Sequence, residues 1–282
     1  MLVDDHANAA GGRDAHDQDA VEVEETALPS GRMTAGLVRR GGSVLRPLGP
    51  WSESVHEYLR HLEAAGFEGA PRVLGVQDGR EELTYLEGEV ADDPSWEPGR
   101  GHRLPEYARS DQALVAAGRL VRRLHEASRG FVPHHVDYRF HPHPPRPGEL
   151  VCHGDLGPWN TVYRDGLPVA FIDWDAAEPR EPLVDLAGAA EAFMPLVPDR
   201  QRREAGYDPL PDLGARLRLF VDAYGLPSRR AILPALRDAK LATLESIRRW
   251  PLDAAGAAGA LEFVAGELRW LHAILPTLEQ AL

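Results

Sequence analysis

Asp165-Gly166 stands between two short runs, Thr161-Val162-Tyr163 and Val169-Ala170-Phe171-Ile172, and this arrangement constrains the chain more than any other feature. β-Branched and aromatic residues suit pleated strands, and Asp-Gly accepts the positive φ that a two-residue hairpin turn demands. The segment therefore predicts a tight hairpin whose ends lie side by side. With Arg164 opposite Leu167, Asn160 faces Phe171 and lies diagonal to Asp173, roughly 7–8 Å away, a gap that metal-bound phosphates can bridge. Asp155 falls on the loop entering the hairpin, where a carboxylate can take the proton of an attacking hydroxyl. One base, Asp155, and two hard-oxygen ligands, Asn160 and Asp173, are what transfer of a phosphoryl group from a Mg²⁺-bound nucleotide requires.

The motif His153-Gly154-Asp155, Asn160 five residues beyond Asp155, and Ile172-Asp173-Trp174-Asp175 together resemble the aminoglycoside phosphotransferase and choline kinase-like branch of the protein-kinase fold. The resemblance runs from about Leu28 to Leu219. Val44-Leu45-Arg46-Pro47 with Gly49-Pro50-Trp51 is similar to a bacterial subgroup labelled trifolitoxin-immunity-like. The resemblance implies an α+β protein-kinase-like fold with a small β-rich N-lobe and a larger helical C-lobe. It implies Mg²⁺ and ATP, with GTP as the alternative nucleotide, and a small-molecule hydroxyl as acceptor. It gives His153 a loop-bracing role and makes Asp185, in Leu183-Val184-Asp185-Leu186-Ala187, a helix aspartate that holds the catalytic loop by its backbone.

On the nucleotide side the sequence departs from that family. Lys240 is the only lysine and falls in a late helical pattern, so Arg46 is left to grip the α/β-phosphates, which a planar guanidinium can do with two hydrogen bonds. The alternative for Arg46 is an exposed residue at a strand end. The family's partner glutamate is replaced by Val55, and Glu57 lies off the Val55-Leu59-Leu62 face, which favours a surface role for it. Gly31 and Thr34 would cover the phosphates, the Thr84 carbonyl and Leu86 N–H match the adenine-binding backbone positions, and Ile172 joins this nucleotide set.

Asp175, Glu178 and Glu181 could receive the ammonium groups of a cationic acceptor, or form a solvated loop. Trp159, Trp174, Phe193, Trp250 and Trp270 could line a cleft or fill a core. His134, His135, His141, His143 and His153 admit a metal-hydrolase alternative, which Pro142, Pro144 and Pro145 oppose by breaking regular ligand geometry. His125 reads as a packed histidine. A further alternative is a catalytically idle kinase fold that binds a toxin or drug, suggested by the missing lysine and opposed by the intact Asp155, Asn160 and Asp173.

Residues 1–30 hold eight acids and one arginine, a net of −7, so only −6 of the total −13 belongs to the rest. Residues 1–26 are expected to be a disordered leader, 27–88 the nucleotide-binding N-lobe and 89–282 the catalytic and substrate-binding C-lobe. The remaining charge argues against nucleic acid and suits a cationic partner. The single Cys152 excludes an internal disulfide, and neither a signal peptide nor a membrane span is evident, so a cytoplasmic protein of undetermined oligomeric state is expected. Hairpin strands are predicted at 37–40 and 43–46 and a further strand at 82–86. Helices are predicted at 52–65, 111–128, 213–224, 230–249 and 254–275.

Overall fold

The computed structural model describes residues 25–28, 36–93, 95, 102–249 and 254–282. Five antiparallel strands, β1 (Glu25–Ala27), β2 (Val38–Arg40), β3 (Ser43–Pro47), β4 (Val73–Gln77) and β5 (Arg80–Thr84), form a sheet in the order β1-β2-β3-β5-β4. Helix α1 (Ser52–Ala64) is inserted between β3 and β4. Tyr58, Leu59 and Leu62 recur at helical spacing on its buried side. Gly66 at φ 76° ends it, with Gly66 N–H donating to Glu63 O and Phe67 N–H to Leu62 O, the paired bonds of a glycine-closed helix end.

The chain leaves this sheet through β6 (Glu89–Val90), which pairs with β8 (Thr161–Arg164), itself paired with β9 (Leu167–Phe171). A second small sheet joins β7 (Leu150–Cys152) to β10 (Glu178–Arg180). Around these lie α2 (Glu106–Arg109), α3 (Asp111–Ala127), α4 (Pro182–Phe193), α5 (Asp199–Glu204), α6 (Leu213–Tyr224), α7 (Ile232–Ile247) and α8 (Ala254–Ala281). One apolar cluster runs from Tyr58 and Leu62 of α1 through Leu120 and Leu124 of α3 to Phe193, Phe220, Leu236 and Leu271. The helix of the β-rich region thus shares its core with the helical region, and burying such side chains is worth about 1.5–3 kcal/mol each.

Several boundaries differ from the sequence expectation. Glu25 and Thr26, assigned to a disordered leader, pair with Arg40 and Arg39 in β1. Residues 1–24, Gly31, Thr34 and Trp250 lie outside the described residues. The strand expected at 82–86 spans Arg80–Thr84, because Asp78 and Gly79, both at positive φ, make a hairpin turn that starts β5 earlier and creates β4. Helix α8 continues past Leu275 and through Pro276 to Ala281, since Leu278 is buried and Arg218 bonds the Ala281 carbonyl.

Lys240 of α7 is buried between two carboxylates, 3.0 Å from Glu191 and 2.8 Å from Glu267. Burial opposes its charge, but the two carboxylates raise its pKa, and burial lifts Glu191 to about 7 against the pull of Lys240. The only lysine is therefore a structural cation joining α4, α7 and α8. Lys240→Ala strands two buried carboxylates and should cost about 3–5 kcal/mol of stability, read as a lower urea midpoint.

Candidate active site

The hairpin that opened the sequence reading is present as β8–β9, with Asp165 and Gly166 at φ 51° and 74°. Its register differs by one position at the base. A bulge after Val162 places Thr161, not Asn160, opposite Phe171, and Asn160 O instead accepts from Ile172 N–H at 2.9 Å. The extra residue therefore sets Asn160 against the residue preceding Asp173. Asn160 Nδ2 donates to Asp155 Oδ2 at 2.8 Å and to the Asp155 carbonyl at 3.0 Å. With its nitrogen so engaged, the amide oxygen of Asn160 is the atom able to face a cation.

Asp173 sits at φ 58°, ψ 70°, a left-handed conformation that costs a non-glycine residue on the order of 1 kcal/mol. Burial first, then the charges of Asp175 and Asp155, lift its pKa to about 6, although 38% of its side-chain surface remains exposed. A hard carboxylate crowded by like charge gains from a divalent cation, so Asp173 with the Asn160 oxygen fits a Mg²⁺ ion.

The loop that carries Asp155 is held by buried polar groups on other elements. Burial keeps His153 below the ordinary imidazole range, and the neutral ring donates from Nε2 to Ile172 O at 3.0 Å while Nδ1 accepts from Asp155 N–H at 3.3 Å. Asp185 Oδ1 accepts from Gly154 N–H at 3.2 Å, and its Oδ2 accepts from His125 Nε2 at 3.0 Å. Burial opposes the charge of Asp185, yet the His125 hydrogen bond holds its pKa low. His125, expected only to pack, also bonds the Tyr224 hydroxyl at 3.0 Å and so ties α3 and α6 to the loop. Gly154 lies at φ 80°, and a Cβ there would stand 2.1 Å from Ala176 O.

Arg46 is buried rather than exposed at a strand end. Its guanidinium meets Asp173 at 3.4 Å, Asp175 through Nη2, and Glu81 at 3.0 Å from Nε. Burial opposes its charge, but Asp175, Asp173 and Glu81 outweigh that and raise its pKa. Three partners went unrecognised in the sequence. Glu81 is the cross-strand neighbour of Arg46. Arg139 lies 3.4 Å from Asp175 with its guanidinium 4.2 Å above the Trp51 ring. His56 contacts Glu81. Only the Arg46–Glu81 pairing had a legible signal, through the register of two strands.

Glu57 does not pair with Arg46. It accepts the backbone N–H groups of His134 and His135 at 2.9 Å each, which helps lower its pKa to about 2 although burial works the other way. This ties α1 to the loop that carries Arg139. Asp175 and Glu178, read as either an ammonium pocket or a solvated loop, are buried and already paired. Asp175 holds Arg46 and Arg139, and Glu178 holds Arg180 and His141, whereas Glu181 is exposed. Thr84 closes β5 with its hydroxyl accepting from Arg72 N–H at 2.8 Å, and half-buried Leu86 follows it.

The five clustered histidines do not converge. His134 and His135 hold Glu57, His141 holds Glu178, His143 bonds Pro144 O, and His153 bonds Ile172 O. Among the described residues, the one group of potential ligand atoms drawn together is buried His125, Cys152 and Asp185, where Asp185 is already hydrogen-bonded and burial pushes the thiol pKa well up.

Residues 134–220 match the profile of the phosphotransferase enzyme family. The Trifolitoxin immunity protein of Rhizobium leguminosarum bv. trifolii is 36% identical over 213 residues, which cover 73% of this chain and 76% of that protein. The chain belongs to the phosphotransferase enzyme family. A microcompartment-associated aminopropanol kinase superposes with a TM-score of 0.56 at 16% identity, covering 91% of this chain and 94% of that one. The ADP-bound aminoglycoside phosphotransferase APH(2'')-Ib does so with a TM-score of 0.53 at 12% identity, covering 89% and 94%. These likenesses show a kinase-like α+β fold, with the β-sheet region first and the helical region after it. No helix among the described residues is long and apolar enough to cross a membrane.

Gly154→Ala should destabilise the protein by at least about 1–3 kcal/mol in urea unfolding, because the new Cβ is forced on the Ala176 carbonyl while φ stays positive.

Proposed function

We propose that the protein transfers the γ-phosphate of ATP to a hydroxyl of a small molecule. The observation that carries this reading is the junction of Asp155, Asn160 and Asp173, joined by the Asn160 bond to Asp155 at 2.8 Å and the Asn160–Ile172 backbone bond at 2.9 Å. Asn160 and Asp173 would hold Mg²⁺, which when bound offsets the charge of the phosphates. Arg46 grips the non-transferred phosphates from β3. Asp155, oriented by Asn160, receives the acceptor hydroxyl and takes its proton as oxygen attacks phosphorus. His153 and Asp185 keep the loop in place while charge shifts across it. GTP remains an equal candidate donor, and a cytoplasmic setting suits both nucleotides. The residual −6 outside the first thirty residues supports a cationic acceptor, such as an amino alcohol or an aminoglycoside. Glu181 alone of the three acids after Asp173 is free of internal burial, which makes it the candidate for contact with such an acceptor.

A panel of aminoglycosides, amino alcohols, sugars and nucleosides, followed by ATP turnover, tests the reading. Asp173→Asn should weaken Mg·ATP and abolish transfer, since a neutral amide is a poorer ligand for a hard cation. Asp155→Asn should keep nucleotide affinity within a few-fold and lower single-turnover transfer by about 10²-fold or more. Undiminished transfer by Asp155→Asn sinks the base assignment.

A second reading, a kinase fold that binds a toxin or drug without turnover, is favoured by the immunity protein among the relatives and by arginine in the lysine position. Wild-type protein that binds Mg·ATP and phosphorylates nothing in the panel would support it. Arg46→Ala should weaken Mg·ATP far more than adenosine under either reading, because only the phosphates lose a charged partner. Equal calorimetric affinities of mutant and parent for Mg·ATP would remove Arg46 from the site.

A further inference from the structure

Arg46 and Glu81 are direct cross-strand partners in the β3–β5 ladder, so the sheet itself delivers a carboxylate to the guanidinium. Glu81 Oε1 lies 3.0 Å from Arg46 Nε. This is an ion pair rather than an aligned hydrogen bond, since Nε finds no acceptor in line. Oε2 of the same carboxylate contacts His56 Nε2, which comes down from α1. Arg46, Glu81 and His56 are only 7, 3 and 1% exposed. Helix α1 thus offers an imidazole to the pair, while Val55 packs in the core and Glu57 holds the 134–135 backbone. Strand β5 lies between β3 and β4, so the backbone of Glu81 is held by a ladder on each side, and the His56 contact holds its carboxylate.

We propose that Glu81 is the positioning residue of the Arg46 phosphate clamp and that His56 fixes Glu81 in turn, which makes the clamp independent of any carboxylate on α1. The inference deepens the phosphotransferase reading and rests on it. Arg46 is pulled from two sides, by Glu81 within the sheet and by Asp173 and Asp175 across the cleft. Without the Glu81 charge the guanidinium is drawn wholly toward Asp173 and Asp175, where it competes with the metal ion and turns from the phosphates.

Calorimetric titration of Mg·ATP and of adenosine into wild type, Glu81→Gln, Arg46→Ala and the double mutant tests this. Glu81→Gln should weaken Mg·ATP about tenfold and leave adenosine within about twofold. It should have no further effect once Arg46 is gone, because a residue that acts through another is not additive with it. A role in stability alone would leave Mg·ATP affinity unchanged, and an effect on binding independent of Arg46 would give additive losses. His56→Phe, for use should Glu81→Gln fail to fold, should weaken Mg·ATP in the same direction by about threefold. Wild type that binds Mg·ATP beside a Glu81→Gln or His56→Phe variant of unchanged affinity, or additive losses in the double mutant, overturns the inference alone. Wild type that binds no nucleotide overturns both it and the phosphotransferase reading.

Discussion

A buried guanidinium organises this molecule. Taking a cation out of water costs several kcal/mol even after relaxation, and the cost is met only where anions reach it with good geometry. Arg46 is surrounded accordingly, by Glu81 from its own sheet and by Asp173 and Asp175 from the segment after β9. The two regions of the chain are thereby fastened to each other at the candidate site. Arg139, stacked on Trp51 of the N-terminal region and paired with Asp175, adds a second cation to the same junction. Glu57 then holds the loop that delivers Arg139, so α1, the loop and the Asp173–Asp175 turn have fixed relative positions.

The loop that carries Asp155 is fixed by a separate set of bonds. Tyr224, His125 and Asp185 pass from α6 through α3 to α4 and end on Gly154 N–H. His153 connects the loop to the Ile172 carbonyl, with its ring 4.5 Å from that of Trp174. Buried polar groups are tolerable only when satisfied, and each of these is. The result is a hydrogen-bonded support behind Asp155 and Asn160, which are themselves joined by the Asn160 Nδ2 bond to Asp155 Oδ2.

Legibility in the sequence followed the range of the interactions. The β8–β9 hairpin was readable because Asp165-Gly166 specifies its turn locally, and α6 was readable because Asp212 and Gly225 cap a periodic apolar run. The same kind of signal, Asp78-Gly79, marks the β4–β5 turn and went unused. The bulge after Val162 was not legible, since nothing in Val162-Tyr163 announces a shift of register. The fate of the charged residues was least legible. Asp175 and Glu178 were hard to tell from a wet loop because, apart from Arg180 beside Glu178, their partners Arg46, Arg139 and His141 come from 129, 36 and 37 residues away. His125 had the spacing of a packed residue, and only the approach of α4 and α6 gives it work for both nitrogens.

Arg46 and Glu81 form one unit rather than two separate features. A guanidinium directs its N–H groups along a rigid planar fork, whereas an ammonium gathers three donors on a single atom. Here Nε faces Glu81, Nη1 faces Asp173 and Nη2 faces Asp175, three carboxylates from two places in the chain, strand β5 and the turn after β9. A lysine at the same position could satisfy one or two of them and would leave the remainder as uncompensated buried charge. Conversely, an arginine without Glu81 would lack an anion on its Nε edge and its plane would lose its anchor in the sheet. The buried Arg46 thus has its anchor in the strand beside it, through Glu81, and in the histidine that α1 presents to that carboxylate.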